Sequence, residues 1–154
     1  MSAQASSVAV PQRRRFRQRH LWLIPGLAVG VYASTLAGHL GLGLVPLLVF
    51  GIAPHLGVLL GLGQPHARGQ LAPRAVPIFN AMHHPALPLV TVGIAAAGLL
   101  SPFWLVGALA WLAHIVVDWG FGDGLRSQDG FVLGWLGRMT GIGSSAGHSG
   151  RGGE

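Results

Sequence analysis

Four long apolar stretches run along this chain, at about 21–40, 44–63, 78–100 and 103–121, separated by short breaks of different character. Each approaches the roughly 20 residues that a helix needs to cross the hydrocarbon core of a bilayer. The pattern therefore predicts an all-α, four-helix integral membrane bundle. The first break is only Gly41-Leu42-Gly43, the second is the Pro- and Gly-rich loop 64–77, and the third is the turn Ser101-Pro102. Pro25 and Pro46 fall in first helical turns, where a missing N–H costs little. Pro54 lies mid-span and predicts a kink just before His55, and Pro85 and Pro88 predict kinks in the first half of the third span. The pairs Gly26/Gly30 and Gly57/Gly61 have the small-xxx-small spacing that lets helices approach closely.

Composition agrees with the pattern. Hydrophobic residues make up 51% of the 154 and charged residues only 9%, with a mean hydropathy of +0.54, whereas a soluble domain carries about a quarter charged residues. The formal charge of +6 would suggest nucleic acid in a soluble chain, but the arginines flank the apolar segments. Arg13, Arg14, Arg15, Arg17 and Arg19 precede the first span, Arg68 and Arg74 lie between the second and third, and Arg126, Arg138 and Arg151 follow the fourth. All three groups fall on one side of a four-span bundle, and the two opposite connections are uncharged. This predicts a multi-pass protein of the inner (plasma) membrane with both termini cytoplasmic, its basic residues serving topology and not nucleic acid. The expected organisation is a basic tail over 1–20, a membrane domain over 21–121, a glycine-rich cytoplasmic segment over 122–140 and a disordered tail over 141–154. Arg13-Arg14-Arg15-Phe16 also fits the core of a twin-arginine export signal, with Thr35-Leu36-Ala37 as a small-residue cleavage site, although an uncleaved anchor suffices. The lipid bilayer is the expected partner, and a second membrane protein or a further copy of the chain stays open. With no cysteine, thiolate chemistry and iron–sulfur sites are excluded.

Ionisable groups inside lipid are expensive, so they usually face a bundle interior and mark a function. His114 and Asp118 sit one helical turn apart in the fourth apolar stretch, on the same face. At 1.5 Å per residue His114 lies roughly 7–10 Å from the cytoplasmic end of its span, His83 and His84 roughly 8–10 Å into theirs and His55 about 12 Å. Alternating spans thus bring three helices' histidines to one level, with Asn80 on the face of His83 and His84. Three imidazoles and a carboxylate suit zinc or another divalent transition metal, and an open coordination position would allow Lewis-acid or metal–hydroxide hydrolysis. No HExxH motif or nucleophile elbow is present. Bis-histidine haem between His83 or His84 and His114 agrees in depth alone. The competing reading makes each histidine a hydrogen-bonded packing residue in a non-enzymatic membrane component, such as a transporter subunit or helix-bundle partner. His39 suits an interface, and Trp22, Trp104, Trp111, Trp119 and Trp135 suit the interfacial aromatic belt. Asp118 stands near a helix C-terminus, where its charge opposes the helix dipole, so a cation, His114 or Arg126 is expected to offset it.

Several motifs carry a family resemblance: Ile52-Ala53-Pro54; Phe79-Asn80 followed by His83 and Pro88; Trp111-Leu112-Ala113-His114 with Asp118; then Gly122, Gly124-Leu125-Arg126, Gly130-Phe131 and Leu136-Gly137-Arg138. In these the chain resembles the DUF4260 family of small, uncharacterised bacterial integral membrane proteins, over roughly residues 20–139. The resemblance implies four membrane helices. It also exposes departures. Pro54-His55 stands where the family usually has Pro-Asp, and Gly134-Trp135 where it usually has Thr-His. Asp123 replaces a usual tyrosine, Trp119 replaces an arginine, and His84 is extra. More distantly the arrangement looks like membrane-bound metal-dependent hydrolases. The expected ligand set is His55, His83, His114 and Asp118, surrounded by Asn80, His84 and Asp123.

Overall fold

A computed structural model of the chain describes residues 20–133. The basic cluster Arg13–Arg19 with its twin-arginine motif, the Gly134-Trp135 departure and the tail expected over 141–154 lie outside the described residues. Within them the fold is all α-helical, with no β-strand beyond one isolated bridge between Arg126 and Val132. Five α-helices form: α1 (Leu23–His39), α2 (Val45–Leu56), α3 (Val76–His83), α4 (Ala86–Ala96) and α5 (Pro102–Phe121). A 3-10 turn, His20–Trp22, leads into α1, another, Gly57–Gly61, prolongs α2, and a third, Pro73–Ala75, precedes α3. Two helices, His20–His39 and Pro102–Phe121, are long and apolar enough to cross a membrane, and Val45–Gly61 is shorter.

The second apolar stretch is one helix that passes through Pro54 and then tightens to 3-10 geometry. The third differs from its expected form. The stretch read as a single helix from about 78 to 100 is two, α3 and α4, broken at His84-Pro85. A proline disfavours α geometry in the residue before it, and His84 is extended, at φ −81° and ψ 123°. Pro85 also has no N–H to continue the ladder. The freed groups find partners: the His84 Nδ1 accepts the Ala86 N–H at 3.3 Å, and the Trp111 Nε1–H donates to the Met82 carbonyl at 2.7 Å.

Helix α5 is the centre of the molecule, with α1, α2 and α4 all packed against it. Small residues make this possible. A Cβ placed on Gly26 of α1 would stand 2.8 Å from the Val117 side chain and 3.0 Å from the Val117 backbone nitrogen. One on Gly107 of α5 would run into the Phe50 ring of α2. Backbones therefore approach as in membrane helix pairs, where small residues supply the contact. Both glycine pairs singled out by spacing meet neighbouring segments: Gly26 and Gly30 face α5, Gly57 faces Ile78 and Phe79, and Gly61 faces Ala72. The outward faces are apolar: Leu27 and Val31 on α1, Leu48 and Ile52 on α2, and Leu87 and Val90 on α4 are all exposed.

Helix α5 stops at Gly122, which takes the left-handed conformation (φ 89°) that glycine adopts without strain. The Asp123 N–H then bonds back to the Asp118 carbonyl at 2.8 Å and the Gly122 N–H to the Trp119 carbonyl at 3.1 Å, a Schellman closure. Beyond it residues 123–133 fold back on the 64–72 loop. The Leu71 N–H donates to the Gly130 carbonyl at 2.9 Å and the Gln70 side chain to the Asp129 carbonyl at 2.7 Å.

Candidate metal centre

The fold carries His55, His83, His114 and Asp118 to one point from three helices. His114 and Asp118 share a face of α5, His55 is next to last in α2, and His83 ends α3 at the broken span. One donor atom from each lies within 4.8 Å of every other. The three imidazoles pack edge to face or tilted: His55 and His114 have ring centroids 4.6 Å apart, His55 and His83 5.5 Å, His83 and His114 5.6 Å.

His83 anchors the group. It is 1% exposed and is the one buried polar or charged residue among the described residues. Its Nδ1 lies 2.9 Å from the Phe79 carbonyl one turn back. A carbonyl only accepts, so Nδ1 must carry the proton. In the neutral ring this leaves the Nε2 lone pair facing the cluster, which is how a second hydrogen bond sets a metal-binding tautomer. Phe79 also stacks on the imidazole, with centroids 3.8 Å apart and planes 15° from parallel.

The distances distinguish two kinds of contact. The Asp118 Oδ2 is 3.4 Å from His83 Nε2 and 3.3 Å from His114 Nε2. A charge-assisted N–H···O bond would be shorter, about 2.7–2.9 Å, and both Nε2 atoms are buried without a hydrogen-bond partner. Metal–ligand bonds of about 2.0–2.1 Å in a tetrahedron put adjacent donors about 3.3–3.4 Å apart. The two observed spacings therefore match edges of such a polyhedron. The donors also suit the ion: two buried imidazole nitrogens and one carboxylate, with a third imidazole, His55, on the exposed side. The described residues thus form a group that could hold a metal ion.

The three residues expected around the cluster, Asn80, His84 and Asp123, have hydrogen-bond partners outside it. Asn80 makes a reciprocal pair with the Arg126 backbone, its Nδ2 donating to the carbonyl and its Oδ1 accepting the N–H, both at 2.8 Å. His84 caps the start of α4. Asp123 binds the Gly124 N–H at 2.8 Å and the Arg126 guanidinium at 2.7 Å. Arg126 thus pairs with Asp123, while Asp118 is faced by His83 and His114. Sequence reasoning gave no role at the site to Phe79 or to Trp111. The signals for the first were its place in the Phe79-Asn80 motif and a hydrophobic ring one turn before a histidine. For the second, nothing in the sequence placed Met82 beside α5. A groove of ≈ 480 Å³ opens along α1 and α5 and reaches the cluster at His114, with Gly30, Ser34 and Ala113 also lining it. It stays apolar because the Ser34 and Thr35 hydroxyls turn back onto carbonyls of their own helix.

Comparison with known proteins places this site inside a shared domain. No curated protein and no solved structure matches the chain. One family profile does, over residues 22–139, which spans every helix and all four clustered residues. The chain therefore belongs to the DUF4260 family, described as a domain of unknown function.

Proposed function

We propose that this is a multi-pass membrane protein that holds a divalent transition metal, zinc by its donor set, between His55, His83, His114 and Asp118. The observation that carries the reading is the pair of buried, unpartnered Nε2 atoms of His83 and His114, spaced from Asp118 as donors around an ion. Such an ion would supply Lewis-acid or metal–hydroxide chemistry of the hydrolytic kind. His83, held by Phe79, would fix the ion in place, and Asp118 would balance its charge. His55 is the exposed member of the group. Metal analysis of the purified protein tests this. About one equivalent of zinc is expected in the unaltered chain and much less in His114→Ala; no bound metal in either, after growth with added zinc, overturns it and leaves the histidines as packing residues.

The membrane assignment rests on the exposed apolar faces of α1, α2 and α4. A helix buried on one face and apolar on the other has lipid, not water, as its natural surroundings. The placement of the arginines supports cytoplasmic termini in the inner membrane. Because the chain has no cysteine, single introduced cysteines report sidedness directly. Leu42→Cys is expected to react with a membrane-impermeant thiol reagent from the outer side of the membrane, and Arg68→Cys only from the cytoplasmic side. The reverse pattern overturns the orientation.

A further inference from the structure

Arg126 is not a member of the cluster, yet it is largely buried beside it. Its side chain is 14% exposed, one terminal nitrogen bonds Asp123 at 2.7 Å, the other reaches the Gly69 carbonyl at 3.3 Å, and its Nε has no partner. Its guanidinium carbon lies 5.5 Å from the centre of the Phe79 ring. The His83 imidazole fills one face of that ring at 3.8 Å. A parallel ring so close leaves no room for a guanidinium on the same face, so the cation takes the other. The result is a stack that runs from Arg126 through Phe79 to His83. Its far end is held from both sides of the chain: Asn80, next to Phe79, clasps the Arg126 backbone N–H and C=O.

We infer that Arg126 is a positioning residue for the metal centre, acting through Phe79 to fix the plane of the His83 imidazole. This rests on the proposed metal site. Nδ1 of His83 is held by the Phe79 carbonyl, but one hydrogen bond leaves the ring free to swing about it. The stacked Phe79 removes that freedom, and the guanidinium, attracted to the ring face, holds Phe79 against the imidazole. Outer groups that orient a ligating histidine are typically worth 10–100-fold in metal affinity. The loop after α5, which carries Arg126, is thereby joined to the geometry of a histidine on α3.

The test is zinc affinity of detergent-purified full-length protein, measured by competition with a chromogenic chelator, together with the visible spectrum of the cobalt(II)-loaded form. Arg126→Gln and Phe79→Leu are each expected to weaken zinc roughly tenfold and to change the cobalt spectrum. Because they act along one path, the double variant is expected to be little worse than either, and Arg126→Lys, which keeps a cation on the ring, to recover most of the loss. Asp123→Asn is the control that loosens the guanidinium without touching Phe79, with a smaller effect expected. Arg126→Gln binding zinc as tightly as the unaltered chain overturns the inference, and so do fully additive losses. Should Arg126→Gln fail to fold, Phe79→Leu decides, and unchanged affinity there overturns it. An unaltered chain that binds no zinc instead overturns the metal site itself.

Discussion

Replacing Asp118 with asparagine separates a waiting metal site from a cluster of paired side chains, because the two arrangements predict opposite changes in the metal-free protein. In a waiting metal site the His83 Nε2 would present a lone pair to the Asp118 Oδ2 across 3.4 Å, and the His114 Nε2 would do so across 3.3 Å, neither nitrogen having a hydrogen-bond partner. In that arrangement two buried acceptors would stand beside an anion, which is unfavourable. An amide nitrogen in the place of Oδ2 offers two hydrogens in a shape nearly identical to the carboxylate's, one for each Nε2. Each neutral hydrogen bond so formed contributes about 0.5–1.5 kcal/mol, together roughly 2 kcal/mol. For a chain of this size that corresponds to about 4–8 °C in the unfolding midpoint.

Zinc reverses the order. A ligand at a hundred times its Kd stabilises the folded state by about 2.7 kcal/mol, or roughly 5–10 °C. The unaltered chain should show that shift. Asp118→Asn has lost its only anionic donor and should show almost none. The assay is thermal unfolding in detergent, followed by intrinsic tryptophan fluorescence, for both proteins with chelator and with zinc. Metal-free Asp118→Asn that melts several degrees below the metal-free unaltered chain would refute the reasoning. It would mean that Asp118 is already paired with Nε2–H groups of the imidazoles, which the substitution weakens.

Three further outcomes follow from the geometry. His55→Ala should keep zinc bound, with affinity lowered by less than His83→Ala lowers it, because His55 is exposed while His83 is buried and held at Nδ1; equilibrium dialysis of both variants checks this. Trp111→Phe removes the donor to the Met82 carbonyl at the break in the third apolar stretch. Leaving that carbonyl unpaired should destabilise the fold by about 1–3 kcal/mol, visible as a lower midpoint of chemical unfolding. Gly26→Ala forces a methyl to within 2.8 Å of Val117 and should cost about 1–3 kcal/mol, whereas Gly38→Ala meets nothing within 4 Å in the same helix and should be neutral or stabilising. Equal effects of the two alanines would show that α1 does not pack on α5 as described.

What the sequence makes legible is what depends on neighbours along the chain. Apolar run lengths gave the helical stretches, and the four-residue spacing of His114 and Asp118 placed them on one face of α5. Pro102 and Gly122 mark that helix's ends, because a proline suits the first turn and a glycine the left-handed stop. The alternation of helices then brings His55 and His83 to the same level, and the four do meet. The break between α3 and α4 was less legible. Pro85 and Pro88 look alike in sequence, yet only one ends a helix. Pro88 falls in the first turn of α4, where no donor is needed, and it does so only because Pro85 has already stopped α3. What satisfies the broken backbone, Trp111 reaching Met82 across 29 positions, is a matter of packing and leaves no local trace.

The same distinction explains why Asn80, His84 and Asp123, expected around the cluster, make their hydrogen bonds outside it. Each is near a member of the cluster in sequence, and sequence distance was the only measure at hand. Asn80 shares a helix with His83, but its amide is the right size to clasp a whole peptide unit, and the fold presents one at Arg126, 46 positions away. Asp123 follows Asp118 by little more than one turn, but the Gly122 stop turns the chain away from the helix face before reaching it. Its carboxylate is held by Arg126. Phe79 shows the reverse case. As an apolar residue in an apolar stretch it carries no chemical signal, yet it gives His83 both of its constraints, the backbone carbonyl at Nδ1 and the ring on its face. A histidine in such a cluster is legible by its chemistry, but the residue that aims it acts through shape, and shape becomes visible only once the helices are packed.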